Sequence, residues 1–131
     1  MGINKQNIIV NKTVQFSLEM ILYCEMLCKE RKFVVANQLL KSSTSIGANV
    51  MEAQHAESPT DFLHKMKIAV KEANETYYWL HLCEKSIGYH YEMKYQQYIE
   101  DILNILSKII ITTKQRIYGL PGEQKMKIQR Q

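Results

Sequence analysis

The sequence predicts an all-α fold: a single-domain, up-down-up-down antiparallel four-helix bundle. Apolar residues recur three and four positions apart through four long stretches, with only short polar breaks between them. The 131 residues include 5 glycines and 2 prolines, too few for a turn-rich β fold. Four long helices with short connections bury their apolar faces best as a bundle. We expect the bundle to occupy residues 1–118, and residues 119–131 to form a mobile basic tail.

The segment 38–53, QLLKSSTSIGANVMEA, is central to this prediction. Serine, threonine and glycine each disfavour a helix interior by up to about 1 kcal/mol, which favours a loop between two short helices. The apolar period nevertheless continues through the segment without a phase shift, and no proline interrupts it. Its positions are Leu39, Leu40, Ser43, Ile46, Val50 and Ala53. We therefore expect one helix over about 33–56, with a small-residue face that lets a neighbouring backbone approach closely.

The first helix is expected over about 11–32, after an irregular lead-in at 1–10, and it ends in the basic cluster 29–32. It carries two apolar stripes. One consists of Val14, Leu18, Ile21 and Cys28, and the other of Phe16, Met20, Tyr23 and Leu27. The apolar faces of helices one and four are wider than one bundle should need, so we expect part of this surface to be buried between subunits.

The third helix is expected over about 59–87, where Ser58 caps its start, Pro59 is its first residue and Gly88 ends it. Its apolar seam is Phe62, Met66, Ala69, Ala73, Thr76, Leu80, Cys83 and Ile87. The fourth helix is expected over about 92–118, ended by Gly119. Its main apolar row is Tyr95, Ile99, Ile102, Leu106, Ile109 and Thr113.

Charge is distributed unevenly along the chain. The formal net charge is +4, but residues 11–118 hold 13 basic and 12 acidic residues. The remaining excess comes from the two ends of the chain. Four cations there are candidate nucleic-acid-binding residues, which assembly of several subunits would gather into a ring. They are Lys5, Lys125, Lys127 and Arg130.

Several polar residues lie on helices two and three where the two helices should meet. A hairpin turning near Ser58 places residues whose numbers sum to about 116 at the same level. Buried polar groups need partners, so we expect an inter-helix polar network that fixes the register of the two helices. Its members are Lys41, Ser45, Asn49, Glu52, Glu72 and Glu75. The alternative is exposed pairs on solvated faces.

Signals for catalysis are weak. Glu52 and His55 form a Glu-x-x-His motif of the di-iron type, but its nearest match is Asp61 with His64, at a helix start. Cys24 and Cys28 are one turn apart without a matching pair, so we expect core thiols. No nucleophile elbow or phosphate loop is present. We expect no enzyme activity, catalytic residue, metal or cofactor.

Two aromatic groups are candidates for stacking with nucleic-acid bases. The run Tyr77, Tyr78 and Trp79 lies beside the seam of the third helix, which favours packing. The better exposed candidate comprises four tyrosines around the last turn. They are Tyr89, Tyr91, Tyr95 and Tyr98.

Location and membrane contact follow from the termini and the cysteines. Three cysteines without paired spacing indicate reduced thiols and a cytoplasmic protein. No apolar run approaches the roughly 20 residues that span a bilayer, and the N-terminal run is too short for a signal peptide. Gln6 stands where a myristoylation signal requires Ser or Thr. We expect no membrane partner.

The segment 39–80 resembles a bacterial four-helix-bundle family, that of the 23S ribosomal RNA intervening-sequence protein. The similarity is carried by LLKS at 39–42, TSIGANV at 44–50, EA at 52–53, DF at 61–62, IAVKEA at 68–73, ET at 75–76 and YWL at 78–80. The accessory protein of diversity-generating retroelements is a distant relative. The resemblance implies a homopentamer and a link to nucleic acid, and it supplies no catalytic residue.

Two functions therefore compete. The first is a homo-oligomer that binds RNA or DNA through the assembled ring. The second is a scaffold that binds a partner protein such as an enzyme, and a metal-dependent enzyme ranks well below both.

Overall fold

The computed structural model describes residues 5–119, with side chains from residue 8 onward. Four helices account for most of it: α1 (Lys5–Lys29), α2 (Phe33–Ala53), α3 (Pro59–Lys85) and α4 (Met93–Tyr118). No strand occurs within residues 5–119. Each helix packs against the next, and α4 returns to α1 and closes the bundle. The all-α, single-domain prediction is confirmed. In the described part of the chain, no helix has both the length and the apolar character needed to cross a membrane.

Helix α2 runs unbroken through the serine-rich segment, as predicted. Ser42 and Ser43 are buried together with Leu39 and Ile46. Their hydroxyls are satisfied inside the helix, since Ser42 Oγ donates to the Leu39 carbonyl at 3.3 Å and Ser43 Oγ to the Leu40 carbonyl at 3.3 Å. Bonds of this kind leave no buried hydroxyl unpaired, so packing can offset the weak helix propensity. The helix ends at Ala53, three residues before the predicted end.

The small-residue face of α2 contacts both neighbouring helices. A Cβ atom on Gly47 would lie 3.3 Å from both Cβ and Oγ1 of Thr13, so α1 approaches here to a distance that only glycine allows without adjustment. On the other side, Thr76 Oγ1 of α3 donates to Ser42 Oγ over 2.9 Å. The close approach expected of this face is therefore present on two sides.

Helix α1 differs from the prediction at both ends. It begins at Lys5, so the irregular lead-in expected at 1–10 is wrong for residues 5–10. Ile9 is fully buried in the core, and Thr13 Oγ1 donates to its carbonyl at 2.9 Å, which anchors this first part of the helix. The helix ends at Lys29 rather than residue 32.

The turn after α1 is a Schellman motif. Lys32 N donates to the Leu27 carbonyl at 2.8 Å, and Arg31 N donates to the Cys28 carbonyl at 2.9 Å. Arg31 has φ 65°, the left-handed conformation that glycine normally supplies at this position.

The ends of α3 and α4 agree with the prediction except at the C-terminus of α3. Ser58 Oγ accepts a hydrogen bond from Asp61 N at 3.0 Å, with Pro59 in the first turn. Helix α3 ends at Lys85 with Ser86 as its cap, so Gly88, at φ 84°, belongs to the following turn. Ile87 consequently leaves the seam and is fully exposed. Gly119 caps α4 at φ 66°, and its N–H donates to the Gln115 carbonyl at 2.8 Å.

Candidate functional site

One of the two apolar stripes of α1 is buried and the other is exposed. The stripe Phe16, Met20, Tyr23 and Leu27 lies in the core. The other faces outward, and its most exposed residue is Leu18, at 51%. Leu22, one turn further on, is 65% exposed. We call this outward surface the α1 face, and it consists of Val14, Leu18, Ile21 and Leu22. Four large apolar side chains on successive turns form a continuous patch of the kind that marks an interaction site.

Exposed apolar residues continue beyond the end of α1. Phe33 and Val34 open α2 directly after the turn at residues 30–32, and Val34 is 76% exposed. Cys28, the last member of the outward stripe, is half-buried against the core. Two exposed apolar residues therefore follow α1 in sequence, separated from it by the charged turn at residues 30–32.

Several members of the predicted inter-helix polar network form hydrogen bonds within their own helices. Ser45 Oγ donates to the Lys41 carbonyl at 2.7 Å and Asn49 Nδ2 to the Ser45 carbonyl at 2.9 Å, both within α2. The Glu75 carboxylate accepts from Trp79 Nε1 at 3.4 Å, within α3. These side chains are used inside their own helices because carbonyls one turn back lie closer than the neighbouring helix.

One predicted member does cross between the helices. The Glu52 carboxylate lies 3.3 Å from Lys65 Nζ of α3, at the expected level of the hairpin. Within residues 5–119, no ion pair or hydrogen bond joins the side chains of Lys41 and Glu75, and Glu72 contributes only its carbonyl, to Thr76. The role of this group in fixing the register remains a prediction.

The buried polar contact between α2 and α3 is one that the sequence argument missed. It is the hydrogen bond between Ser42 and Thr76, two residues with no exposed surface. The available signal was the presence of a hydroxyl on the buried rows of both helices, at positions whose numbers sum to 118.

Three of the four tyrosines proposed as an exposed group instead pack against the core at one end of the bundle. Tyr95 is buried, with its ring centroid 4.4 Å from that of Tyr23, and Tyr91 packs edge-on against it. Tyr23 Oη donates to the His90 carbonyl at 2.6 Å. Of the four, only Tyr98 is exposed. The expectation of an exposed tyrosine cluster is therefore wrong.

Several side chains at this aromatic end of the bundle have shifted pKa values. Burial raises the pKa of Tyr23, and it raises the pKa of Tyr91 to about 12. Tyr95 Oη donates to the Glu92 carboxylate at 3.0 Å, which lowers the pKa of that carboxyl. The phenols are therefore stable in the neutral form and the carboxylate in the ionised form. These residues contribute packing and hydrogen bonds to this end of the bundle.

The thiols and acidic motifs do not form a site in the described part of the chain. Cys24 and Cys83 are buried and Cys28 is half-buried. Burial raises the pKa of the Cys24 thiol to about 12, whereas metal binding and nucleophilic attack need the thiolate. Within residues 5–119, no three His, Cys, Asp or Glu side chains come together as a metal site. Glu52 of the Glu-x-x-His motif is instead paired with Lys65.

Most of the predicted ring of terminal cations lies outside the described residues. Lys125, Lys127 and Arg130 fall beyond residue 119. Lys5 is the first residue of α1, and its side chain is not described. The position of these four charges in an assembly stays a prediction.

Comparisons with known proteins agree with one another. A family model described as the 23S rRNA-intervening sequence protein matches residues 5–111. A crystal structure of a protein of unknown function from the S23 ribosomal protein family, from Bacteroides thetaiotaomicron, is 39% identical to this chain. The match covers 82% of this chain and 98% of that one, with a TM-score of 0.76. No curated protein matches the chain.

Proposed function

The chain belongs to the 23S rRNA-intervening sequence protein family, and from this membership we propose that it is a cytoplasmic, non-enzymatic homo-oligomer that binds RNA or DNA. The observation that carries the proposal is the uncovered α1 face. A subunit of this size has enough apolar material for one core, yet it leaves a second apolar stripe on the same helix in water.

Self-association is the direct consequence of this surface. Burying a leucine side chain contributes roughly 1.5–3 kcal/mol, and Leu18 and Leu22 are each more than half exposed. Association of identical subunits into a closed ring covers the same patch on every copy. The expected ring is the homopentamer that the family resemblance implies.

Assembly also changes the electrostatics. One subunit has a formal net charge of +4, most of it at the two ends of the chain. A ring of subunits repeats Lys5 and the cationic tail on every copy. The positive electrostatic potential, which is weak around one subunit, is therefore strong around the assembly. A nucleic-acid backbone that meets these cations releases its counterions, which makes binding depend steeply on salt.

A second function is favoured by the near balance of charge across residues 11–118, with 13 basic and 12 acidic residues. Such a surface suits a scaffold that binds a partner protein, for example an enzyme. The exposed Phe33 and Val34 at the start of α2 would serve that contact equally well.

A binding titration of the full-length protein distinguishes the two functions. We expect a labelled structured RNA to bind at about 50 mM salt and to lose affinity by orders of magnitude at about 200 mM. The variant K125Q/K127Q/R130Q should bind more weakly and with a smaller salt slope. If no RNA or DNA shifts even at low salt, the nucleic-acid function is wrong and the scaffold function remains.

A further inference from the structure

One exposed side of α3 carries three lysines and an exposed tyrosine, with a single exposed carboxylate, Glu75, between Lys71 and Tyr78. The cationic and aromatic residues are three, four or seven positions apart, so they lie one above another along the outer side of the helix. All of them are exposed. We call this surface the α3 row. Its cationic and aromatic members are His64, Lys67, Lys71, Tyr78, His81 and Lys85.

The three lysines of the α3 row are available to a ligand. Within residues 5–119, none of Lys67, Lys71 and Lys85 forms an ion pair. An exposed ammonium without a carboxylate partner does not have to break an ion pair before it binds a phosphate.

The carboxylates in and beside the row have partners of their own or are half-buried. Glu75 accepts from Trp79 Nε1 at 3.4 Å, and Glu84 lies 3.6 Å from His81 Nδ1. Glu72 is half-buried one turn before Thr76, which contacts α2. The row thus carries three exposed lysines against one exposed carboxylate, which leaves it with net positive charge.

Tyr78 supplies a surface for a base between the lysines. It is 55% exposed, and its ring lies 5.4 Å from that of Trp79 at 68°, a T-shaped contact. Packing against Trp79 restricts the Tyr78 ring. The side chain therefore loses less conformational entropy when a ligand stacks on it. Bases stack on aromatic rings of this kind in proteins that bind single strands.

The dimensions also suit a single strand. Lys67 and Lys71 are one helical turn apart, with Cβ atoms separated by about 5–6 Å. From Lys67 to Lys85 the helix rises about 27 Å, which accommodates several nucleotides.

We propose that the α3 row binds a single-stranded nucleic acid, with phosphates at Lys67, Lys71 and Lys85 and a base stacked on Tyr78. This inference rests on the proposed nucleic-acid function and gives it a site distinct from the terminal cations. A duplex is disfavoured because its bases are stacked on one another and do not offer a free face to Tyr78.

The test uses Trp79, the one tryptophan of the chain, as an internal reporter beside Tyr78. The full-length protein is titrated with an oligouridylate of about 12 nucleotides, a length within the range that single-strand sites occupy. The tryptophan emission should change on binding. K67Q/K71Q should bind about tenfold more weakly at low salt, and its salt slope should fall by roughly 1.4. Tyr78→Ala should lose roughly 5- to 100-fold in affinity.

The matched control removes the same charge elsewhere. Lys29 and Lys108 are exposed and lie outside the α3 row, so K29Q/K108Q should bind within about twofold of the wild type. Circular dichroism and the oligomeric mass should be unchanged in every variant, since all of the altered side chains are exposed.

The outcomes separate this inference from the proposed function. If wild-type protein binds but K67Q/K71Q and Tyr78→Ala match the control, while K125Q/K127Q/R130Q loses binding, the α3 site is wrong and the function stands. Equal affinity for duplex and single strand, with no effect of Tyr78→Ala, also overturns the site. If the wild type binds no RNA or DNA at low salt, both proposals fail.

Discussion

Arg31 occupies a backbone conformation that glycine usually supplies at the end of a helix. Its φ of 65° costs an L-residue roughly 1–2 kcal/mol, while the two Schellman hydrogen bonds hold it there. Because glycine adopts this conformation without a Cβ clash, Arg31→Gly should raise the free energy of unfolding by about 1 kcal/mol in urea titration. Lys32, the next residue, has φ −92°, so Lys32→Gly is the control and should bring no gain. Equal effects of the two substitutions would refute the strain at Arg31.

The ionisation of Cys24 makes the free energy of unfolding depend on pH in the alkaline range. Burial raises the pKa of its thiol to about 12, above that of an unfolded thiol near 8.5. The neutral thiol therefore stabilises the folded state fully below about pH 8.5, and this contribution is lost as pH rises toward the folded value.

The expected result is a decline in the free energy of unfolding between about pH 8.5 and pH 10.5, by on the order of 1 kcal/mol per pH unit from this thiol. Urea midpoints at the two pH values measure it. Buried tyrosines add to the loss, so Cys24→Ala should decline less steeply rather than not at all. An identical slope in Cys24→Ala would show that the thiol is not the source.

At the level of the helices, α1 and α2 are held together by the close approach at Gly47. Its missing Cβ would lie 3.3 Å from Thr13 Cβ and Oγ1, so the branched side chain of Gly47→Val has to displace α1. We expect a loss of about 2 kcal/mol in the free energy of unfolding. The control is Ala48→Val on the neighbouring exposed position, which should cost about 0.5 kcal/mol from propensity alone. Equal costs would mean that the helices do not touch closely at Gly47.

Helices α2 and α3 share the buried hydroxyl pair Ser42 and Thr76. Thr76→Val removes the 2.9 Å bond and leaves Ser42 with a single 3.3 Å contact to the Leu39 carbonyl. We expect a loss of about 1–2 kcal/mol by thermal or urea unfolding. The double variant S42A/T76V should cost less than the sum of the single variants, because no hydroxyl is then left without its partner. Thr112→Val, at a half-buried hydroxyl bonded within α4, should cost less than Thr76→Val, and a larger cost there would contradict the assignment.

The helices could be predicted because the apolar period is strong in all four, even through the serine-rich part of α2. The start of α1 could not, because residues 5–7 are polar and Ile8, Ile9 and Val10 are β-branched, which gives no helical signal. That turn is helical because Ile9 reaches the core and Thr13 bonds to its carbonyl. Tertiary contacts decided the local structure there.

The site could be predicted only in part. Two apolar stripes on α1 were evident in the sequence, but their similar composition did not reveal which one faces the bundle; packing of Tyr23 and Leu27 decides it. The α3 row is the complement of a seam that was predicted. The partners of Glu75 and Glu84, which leave Lys67, Lys71 and Lys85 unpaired, are visible only in three dimensions.

For the whole molecule, two surfaces of different chemistry lie on different helices. The α1 face is apolar and suits a contact between subunits, while the α3 row is cationic and suits a polyanion. A ring formed through α1 would repeat the α3 row on every subunit, so that a single strand meets several copies and binds with higher avidity. The proposed function thus depends first on association through α1, and the α3 row gains avidity from it.

Sedimentation equilibrium of the full-length protein tests that association most directly. We expect a mass of five 15.4 kDa subunits for the wild type and a much smaller mass for L18E/L22E, which places carboxylates in the α1 face. The control Q97E/S107E adds the same charge at exposed positions of α4 and should keep the full assembly. Helical content should be unchanged in both variants, because all four positions are exposed. A wild-type protein that sediments as one 15.4 kDa subunit would contradict the account.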